Sequence, residues 1–445
     1  MPESDAIALC RQYLAGGGEN GGQELVRRVE TYAGRIGPVL SALRPKPAGD
    51  AKRGLSGLQH FSAPGLADEY KDDHLYYHVP ESYDPAKPTG LLIYMHGGGN
   101  GTARTYAGHV IDRARKNANG IAFFVDKIPY ITVAPSAPWN EKSTSRWALP
   151  EAEAYIAAVI TESQHLFAID PHSVVLAGTS MGGSGAISLG LRMPDRFAAV
   201  CPGSGSWHAA YWRATIGTPF FIIHGANDAV PPGHPTKKHR PKFTDIFYAR
   251  EAHRLLEAYD IEHIYAEHEG GHSSREAKPQ IETFCRWMQA RRRDPYPKLV
   301  IAAMPADGRV HQPHNRWVSI QELGAGRIAF DGVQRKGGGW KETLEEWNAC
   351  RLVRYPHKRR GGVVEAVNEG ENRFTVKTEN VKRFSLWLHP KMVTFAKPIV
   401  VTVNGKREQR TVKPSLADAI RSYKRRRDWG LIYHAEETFV VEDQE

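Results

Sequence analysis

The chain has 445 residues, of which 41% are hydrophobic and 24% charged, and its formal net charge is +10. This length exceeds one compact core, so we expect two or three folded units in a globular protein. No stretch approaches the roughly 20 consecutive apolar residues that a membrane-spanning helix needs, which excludes a transmembrane anchor. The first residues lack the basic and apolar regions of a secretory signal, so we expect a cytoplasmic protein, with secretion left open.

The positive charge raises the question of a polyanionic partner. Basic residues are spread along the chain, with one dense run at Arg421–Arg427. No zinc-finger spacing, RNA-binding motif or repeated aromatic platform accompanies this run, so we interpret it as a solvated helix face. We expect neither nucleic acid nor membrane as a partner, and an acidic polymer matrix stays a hypothesis.

The cysteines and histidines give no sign of a disulfide framework or a metal site. The four cysteines are widely spaced and share no C-x-x-C motif: Cys10, Cys201, Cys285 and Cys350. We expect free thiols, and Cys201 with Cys285 is the one pairing left open. The histidines lack the spacing of metal ligands, so we expect no metal and no cofactor.

The N-terminal part is predicted to be helical. Apolar residues recur at three- and four-residue steps between Gly22 and Leu43, with an interruption at Gly37-Pro38. Prolines and glycines over Arg44–Gly57 predict a linker. Residues 1–57 are therefore predicted to form an N-terminal helical extension and linker.

Strand and helix patterns alternate over residues 58–293. Strands are predicted near His74–Val79, Leu91–His96, Ile131–Ala134, Val174–Ala177, Ala198–Cys201, Phe220–His224 and Glu262–Ala266. Helices are predicted near Glu151–Phe167, Gly183–Met193, Phe243–Tyr259 and Ser274–Arg292. This alternation predicts an α/β fold with a doubly wound, mostly parallel sheet whose functional loops follow the carboxyl ends of the strands.

A glycine run follows the first long apolar strand of this region. His96 is followed by Gly97, Gly98 and Gly99. Consecutive glycines let backbone N–H groups turn toward a ligand oxygen, so the run predicts part of an oxyanion hole. The predicted donors are the amide of Met181 and a glycine amide; Gly98 is the first choice, although which glycine donates stays open.

The segment Gly178–Gly182 (GTSMG) joins a buried strand to a helix that begins with small residues. A serine at the apex of a strand, sharp turn and helix has its hydroxyl exposed above the sheet, close to the positive end of the helix dipole. Only small flanking residues permit that turn. Ser180 is therefore the predicted nucleophile.

Two further strand ends carry the residues that such a serine requires. Asp228 follows the predicted strand Phe220–His224, and His272 lies in a glycine-flanked loop after the strand at Glu262–Ala266. The order serine, acid, histidine along the chain is typical of one hydrolase fold. We predict His272 as the general base and Asp228 as its partner, with Asp245 and Glu251 as alternatives for the acid.

After residue 293 the pattern changes to short alternating strands. They are predicted near Arg316–Ile320, Gly326–Phe330, Arg373–Thr378, Arg383–Leu388 and Ile399–Val403, followed by a hairpin turn at Asn404-Gly405, a helix near Ser415–Lys424 and a last strand near Leu431–His434. Residues 294–445, the C-terminal module, are thus predicted as a mainly-β, sandwich-like unit with a structural or docking role. Its tryptophans are expected in the core rather than on a sugar-binding surface: Trp317, Trp340, Trp347 and Trp387.

At these motifs the chain resembles the α/β-hydrolase superfamily. The lead-in Tyr76–Asp84 before the glycine run is similar to the branch of feruloyl and acetylxylan esterases, polyhydroxybutyrate depolymerase-like enzymes and prolyl-oligopeptidase-type domains. The resemblance covers roughly residues 70–292 and implies the same roles for Ser180, Asp228 and His272. Dienelactone hydrolases carry cysteine at the nucleophile position, so the serine here makes that subgroup a poor match.

The predicted activity is hydrolysis of carboxylic esters through an acyl-enzyme. Residues considered for the substrate pocket are Gly97, Gly99, Trp139, Trp147 and Trp207. Aromatic walls would favour aryl or cinnamoyl esters, acetyl-sugars or a polyester, but the tryptophans could equally seal the pocket wall without selecting a substrate. Two alternatives stay open, a prolyl-oligopeptidase-type peptidase and a non-catalytic binding protein with the same fold.

Overall fold

A computed structural model describes residues 1–16, 19–47, 51–63, 66–70, 73–98, 125–137, 146–149, 151–228, 245–272, 275–306, 313–336, 343 and 351–441. Among these residues, no helix is long and apolar enough to cross a membrane. Cys10, Cys201 and Cys285 are buried free thiols, so the Cys201–Cys285 pairing considered from the sequence does not form. Cys350 lies outside the described residues.

The chain begins with three helices: α1 (Glu3–Leu14), α2 (Glu19–Glu30) and α3 (Ile36–Leu43). Helix α1 was not predicted from the sequence. The predicted interruption at Gly37-Pro38 is wrong, because these residues lie inside the first turn of α3. A proline is tolerated there, since the N–H groups of a first turn have no partner within the helix.

The α/β domain (residues 58–293) is built around a large sheet. Its strands are β1 (Gly54–Leu55), β2 (Leu75–Val79), β3 (Thr89–Met95), β4 (Tyr130–Pro135), β5 (Ile169–Thr179), β6 (Ala199–Gly203), β8 (Phe220–Gly225) and β9 (His263–His268), and a short β7 (Ala209–Ala210) lies outside it. The eight strands follow the order β1-β2-β4-β3-β5-β6-β8-β9. The six strands from β4 to β9 in that order pair in parallel, and β1 and β2 pair antiparallel at one edge. The predicted linker thus contributes the edge strand β1.

Helices cover both faces of this sheet. They are α4 (Ala67–Tyr70), α5 (Glu151–Leu166), α6 (Met181–Arg192), α7 (Ile246–Ala258) and α8 (Lys278–Met288). Successive strand residues point to opposite faces, so Leu91 and Ile93 pack in the cluster of α5, α6 and α7, whereas Leu92 packs in the cluster of α8. The sheet is therefore doubly wound, which confirms the predicted fold class and brings the loops after the parallel strands to one edge.

The C-terminal module contains two sheets. Its elements are β10 (Leu299–Pro305), β11 (His314–Asn315), β12 (Val318–Leu323), β13 (Arg327–Lys336), β14 (Arg351–Gly370), β15 (Arg373–Glu379), β16 (Val381–Leu388), β17 (Ile399–Val403), β18 (Lys406–Arg410), α9 (Leu416–Arg426) and β19 (Ala435–Val440). One sheet has the order β18-β17-β15-β14-β13-β7 with β10 beside β14, and the other has the order β11-β12-β16-β19. Val364 and Phe374 of the first sheet share one core with Phe384 and Leu386 of the second. The module is thus a sandwich, as predicted.

Several details of the module differ from the sequence-based expectation. Strand β14 runs for 20 residues, although its basic first half gave no strand signal. The last strand is β19 and not Leu431–His434, whose apolar residues are buried in the core as irregular backbone. Trp317 and Trp387 are buried in the core at 0% and 1% exposure, whereas Trp340 and Trp347 lie outside the described residues.

The two ends of the chain pack together. Leu9 of α1 and Val39 of α3 lie in one apolar cluster with Leu416 and Ile420 of α9. The N-terminal helices therefore rest on the C-terminal module.

Strand pairing and a buried charge cluster join the C-terminal module to the α/β domain. Gly332 of β13 pairs with Ala209 of β7, and the Val333 N–H donates to the His208 carbonyl at 2.8 Å. The charge cluster, called the interface network, comprises residues that are each at most 4% exposed: Arg196, Arg293, Arg316, Asp195 and Asp428. Arg293 binds Asp428 through two hydrogen bonds of 2.6 and 3.0 Å, a bidentate geometry that fixes both groups.

Candidate active site

Ser180 occupies the sharp turn between β5 and α6. Its backbone has φ 61° and ψ −117°, a conformation that non-glycine residues rarely adopt. The Ser180 N–H donates to the Gly203 carbonyl at 2.9 Å, which ties the turn to the end of β6. A Cβ on Gly182 would lie 2.1 Å from the Met95 carbonyl oxygen, so a larger residue there would force α6 away from β3. The local sequence thus produces the predicted sharp turn between strand and helix, with Ser180 at its apex.

The structure brings Ser180, His272 and Asp228 together, and these three residues are called the triad below. His272 Nε2 lies 2.7 Å from Ser180 Oγ, and His272 Nδ1 lies 2.7 Å from Asp228 Oδ2. The Asp228 side chain is fully buried, while 28% of the His272 side chain is exposed. The residues follow β5, β8 and β9, whose carboxyl ends meet at the same edge of the sheet. One continuous hydrogen-bonded series therefore runs from the buried carboxylate to a hydroxyl near the surface.

The charge of Asp228 determines which ring nitrogens carry protons. Burial opposes ionisation of this carboxyl, but hydrogen bonds from His224 and His272 outweigh burial and hold the pKa of Asp228 below its ordinary value. An ionised carboxylate only accepts hydrogen bonds, so Nδ1 of His272 carries the proton between them. The neutral ring then has its lone pair on Nε2, facing the Ser180 hydroxyl. This is the arrangement that a general base needs to accept the serine proton.

The loops that carry Asp228 and His272 contact each other through their backbones. The Ala226 N–H donates to the His268 carbonyl at 2.8 Å, and the Asn227 N–H donates to the Gly270 carbonyl at 3.0 Å. A Cβ on Gly225 would lie 2.3 Å from the carbonyl oxygen of Gly270, so this close approach requires glycine. The separation between acid and histidine is therefore set by main-chain contacts.

A third loop holds the backbone of His272. Ser204 Oγ donates to the His272 carbonyl at 2.8 Å, and the Ser204 N–H donates to the Ile223 carbonyl at 3.0 Å. Ser204 follows β6 and has a φ of 47°, which turns its hydroxyl toward the histidine loop. His272 is thus supported both at its ring, by Asp228, and at its main chain.

His96 controls the direction of the Gly97–Gly98 peptide. Its Nε2 accepts from the Ala137 N–H at 3.0 Å, so its Nδ1 carries the ring proton and donates to the Gly97 carbonyl at 2.9 Å. The peptide is trans, which points the Gly98 N–H away from the Gly97 carbonyl. Gly97 lies against the serine, because a Cβ on it would be 3.1 Å from Ser180 Cβ. This geometry suits the Gly98 amide as an oxyanion donor.

Met181 offers the second predicted donor. It is the first residue of α6 and directly follows the serine. The first N–H groups of a helix have no partner within the helix and point along its axis. An anion next to Ser180 would therefore meet both this amide and the positive end of the helix dipole.

The tryptophans considered for the substrate pocket are buried in the core where the structure describes them. Trp147 and Trp207 are 0% and 4% exposed. The Trp147 indole donates to the His96 carbonyl at 3.0 Å, and the Trp207 indole donates to the Tyr248 carbonyl at 3.0 Å. Both side chains are therefore core residues, and their position beside a substrate pocket stays a prediction. Gly99 and Trp139 lie outside the described residues.

Sequence reasoning missed three residues that contact the triad or the glycine run. His224 lies 2.9 Å from Asp228, Ser204 binds the His272 carbonyl, and His96 binds the Gly97 carbonyl. His96 and His224 adjoin predicted motifs, so a polar residue at the end of a buried strand was the available signal. Within the described residues, no group of three or more histidine, cysteine, aspartate or glutamate side chains has the geometry to hold a metal ion.

Comparisons with known proteins find a family model, a curated relative and solved structures that are similar to part of this chain. Residues 71–221 match the family model described as "Putative esterase". A poly(3-hydroxybutyrate) depolymerase of Ralstonia pickettii is 34% identical over 194 residues, which cover 40% of this chain; the chain spans 38% of the length of that relative. Among solved structures, a poly(3-hydroxybutyrate) depolymerase from Bordetella parapertussis has 16% identity and a TM-score of 0.35, with 50% of this chain and 85% of that chain covered. A ferulic acid esterase from Anaeromyces mucronatus has 13% identity and a TM-score of 0.35, with coverages of 55% and 94%.

The doubly wound sheet, with the serine turn after β5 and the acid and histidine after β8 and β9, is an α/β-hydrolase fold. Residues 71–221 of this domain are similar to that esterase family model, in line with the resemblance noted in the sequence.

Proposed function

We propose that this protein hydrolyses carboxylic esters through an acyl-enzyme on Ser180. The hydrogen-bonded series from Ser180 through His272 to Asp228, with both contacts at 2.7 Å, is the observation that carries the proposal. The family match and the 34%-identical depolymerase support an ester as substrate.

In the first half-reaction, Ser180 Oγ attacks the ester carbonyl while its proton moves to His272 Nε2. Asp228 holds the ring in the required tautomer and stabilises the imidazolium that forms. The amides of Met181 and Gly98 donate to the tetrahedral oxyanion, and loss of one such donor typically costs roughly 3 kcal/mol of transition-state stabilisation. The intermediate collapses when His272 gives its proton to the leaving alcohol, which leaves an acyl group on Ser180.

In the second half-reaction, water takes the position of the departed alcohol. His272 Nε2 accepts a proton from this water as it attacks the acyl carbonyl, and the same two amides stabilise the second oxyanion. Protonation of Ser180 Oγ by His272 then releases the acid. The exposed fraction of His272, 28%, gives the water a route to the histidine.

For the substrate class we propose esters of short hydroxy acids, including their polymers. The curated relative is named a depolymerase of poly(3-hydroxybutyrate), and 194 residues align with it. Aryl or cinnamoyl esters and acetyl-sugars are the two classes to compare with it. The hydrolysis rates of matched esters of 3-hydroxybutyrate, ferulate and acetylated xylose would rank the three.

The activity is tested with p-nitrophenyl acetate and butyrate, and with a p-nitroanilide of the same acyl group. Ser180→Ala removes the proposed nucleophile, and Ser188→Ala on the same helix α6 is the matched control. We expect release of p-nitrophenol by the wild type and by Ser188→Ala, with at least a roughly 10⁴-fold loss in Ser180→Ala.

Residual activity of Ser180→Ala above about one percent of wild type would place the nucleophile elsewhere. Cleavage of the anilide alone would contradict an esterase and favour a peptidase. No turnover of any of these substrates would favour a binding protein that retains the fold.

A further inference from the structure

His224 is a buried histidine that contacts the acid of the triad. It lies on β8, four residues before Asp228, and its Nε2 is 2.9 Å from Asp228 Oδ2. Both side chains are 0% exposed. The same oxygen, Oδ2, lies 2.7 Å from Nδ1 of His272. One carboxylate oxygen therefore faces two imidazole rings, one from the strand and one from the exposed loop.

His224 must act as a donor in this contact. The ionised carboxylate offers only lone pairs, so Nε2 of His224 carries a proton, as Nδ1 of His272 does. Glu267 and His268 of β9 also lie close enough to interact electrostatically with His224. Glu267 is bound through both oxygens by Arg250 of α7, at 2.8 and 3.0 Å. Its charge is thus neutralised, and Asp228 is the carboxylate that holds His224.

The orientation of the His272 ring depends on the orientation of the Asp228 carboxylate that it contacts. The terminal torsion of an aspartate is broad, so a donor fixed in the core helps to set the plane of the carboxylate. His272 is partly exposed in a loop that follows Gly270 and Gly271. His224 belongs to the buried strand β8, which is hydrogen-bonded to β6 on one side and to the edge strand β9 on the other.

We propose that His224 is a positioning residue of the triad, whose Nε2–H orients the Asp228 carboxylate for His272. The proposal rests on the proposed function, since it assigns His224 to the same Ser180 chemistry. Strand β8 fixes the position of His224, and the hydrogen bond from His224 orients the Asp228 carboxylate. The carboxylate in turn orients the His272 ring toward Ser180. His224 touches neither substrate nor reacting atoms, so it acts on the turnover step and not on substrate binding.

Two variants separate the hydrogen bond that His224 donates from the volume that its side chain fills. In His224→Gln the amide nitrogen occupies the same place along the side chain as Nε2, so the hydrogen bond to Asp228 can be kept. In His224→Asn the same amide is one methylene shorter and falls short of Oδ2. His78→Gln and His78→Asn are the matched controls, because His78 of β2 is 2% exposed and its Nε2 lies 2.7 Å from Asp126 Oδ1, away from the triad.

The readouts are kcat and KM for p-nitrophenyl butyrate, and the rate at which a p-nitrophenyl phosphonate labels Ser180. We expect His224→Asn to lower kcat and the labelling rate by about 10- to 100-fold with KM changed less than about twofold. His224→Gln should recover most of the loss. The His78 pair should leave kcat and labelling at wild-type values, even where the melting temperature falls.

The proposal is overturned if His224→Asn retains wild-type kcat and labelling, if the glutamine variant is no better than the asparagine variant, or if the His78 variants lose as much. If the wild type labels at Ser180 but turns over no ester, the proposed function fails, and the labelling rates alone decide the role of His224. If the wild type does not label at Ser180, both proposals fail.

Discussion

The molecule contains two buried polar networks that use similar charges in different ways. One is the triad network (Ser180, His272, Asp228 and His224), in which a carboxylate faces two imidazoles. The other is the interface network, in which the Asp428 carboxylate faces Arg293 at 2.6 Å and Arg196 at 3.4 Å. Both carboxylates are buried and both have a pKa below the ordinary value.

The two networks differ in the basic partner and in access. An arginine stays protonated at every accessible pH, so the interface network has no proton to exchange near neutral pH and holds its parts together. A histidine loses or gains a proton near neutral pH, and His272 is 28% exposed beside a serine hydroxyl. Burial with charge therefore does not by itself indicate an active site. A titratable partner that reaches a nucleophile at the surface does.

The largest effect is expected from Asp228→Asn in the triad network. The amide is close in shape but can donate to Nδ1, so His272 takes the wrong tautomer and no longer presents a lone pair to Ser180. We expect kcat to fall by roughly 10³- to 10⁴-fold, measured with p-nitrophenyl butyrate. An unchanged rate would mean that another residue is the acid partner of His272. The two alternatives considered from the sequence are placed differently: Asp245 lies at the start of α7, and Glu251 is bound by Arg354 at 2.7 Å.

The corresponding change in the interface network is Asp428→Ala. It leaves the Arg293 guanidinium buried without its carboxylate partner, and breaking a buried ion pair costs about 3–5 kcal/mol. We expect the free energy of unfolding in urea to fall by that amount, with ester turnover per folded molecule unchanged. A loss under about 1 kcal/mol would show that the network stabilises little. Reduced turnover in the folded variant would show that the two networks are coupled.

The dependence of stability on low pH should distinguish the interface network from ordinary surface charges. Burial opposes ionisation of Asp428, but the charge and hydrogen bonds of Arg293 lower its pKa to about 2 from an ordinary 3.8. A lowered pKa stabilises the fold above the ordinary value, and this contribution is lost as pH falls toward and below 2. Between pH 5 and pH 2, the wild type should lose about 2 kcal/mol more unfolding free energy than Asp428→Asn. Equal losses would contradict the assignment.

The smallest effect is expected at the edge of the triad network, from Ser204→Ala. This removes one hydrogen bond to the main chain of His272 and leaves the Asp228 contact intact. A single neutral hydrogen bond contributes about 1 kcal/mol, so kcat should fall by roughly two- to tenfold with KM unchanged. Ser188→Ala serves as the control, and a loss as large as that of Asp228→Asn would mean that Ser204 does more than support the loop.

The sequence predicted the α/β domain better than the C-terminal module. The interior parallel strands of the α/β domain contain continuous apolar runs, because they are buried on both faces, and Ser180 and Asp228 follow the ends of two such runs. The strand before His272, β9, lies at the edge and is only partly buried. Strand β14 is half-exposed and rich in arginine and lysine, so its first part resembled a loop. The segment Leu431–His434 gave the opposite error, a strand predicted where none forms. Irregular backbone that is buried in the core has the same run of apolar residues as a strand.

Prediction of the candidate site from the sequence was limited in a similar way. Ser180, Asp228 and His272 lie in motifs whose glycines are visible in the sequence, and the structure brings them within hydrogen-bond distance. The contacts of His224 and Ser204 depend on how two loops approach each other, at Gly225 against Gly270 and at Ser204 against His272. Such contacts join residues distant in sequence and have no local pattern. The supporting residues therefore required the structure.

The central claim is that Ser180 is the nucleophile, and covalent labelling tests it most directly. The protein is treated with one equivalent of a p-nitrophenyl phosphonate, and the modified residue is located by peptide mass spectrometry while ester hydrolysis is followed. We predict one adduct per chain, on Ser180, with hydrolysis lost in proportion and no adduct in Ser180→Ala. Complete inactivation with the adduct on another residue, or full labelling of Ser180 with hydrolysis intact, would contradict the account.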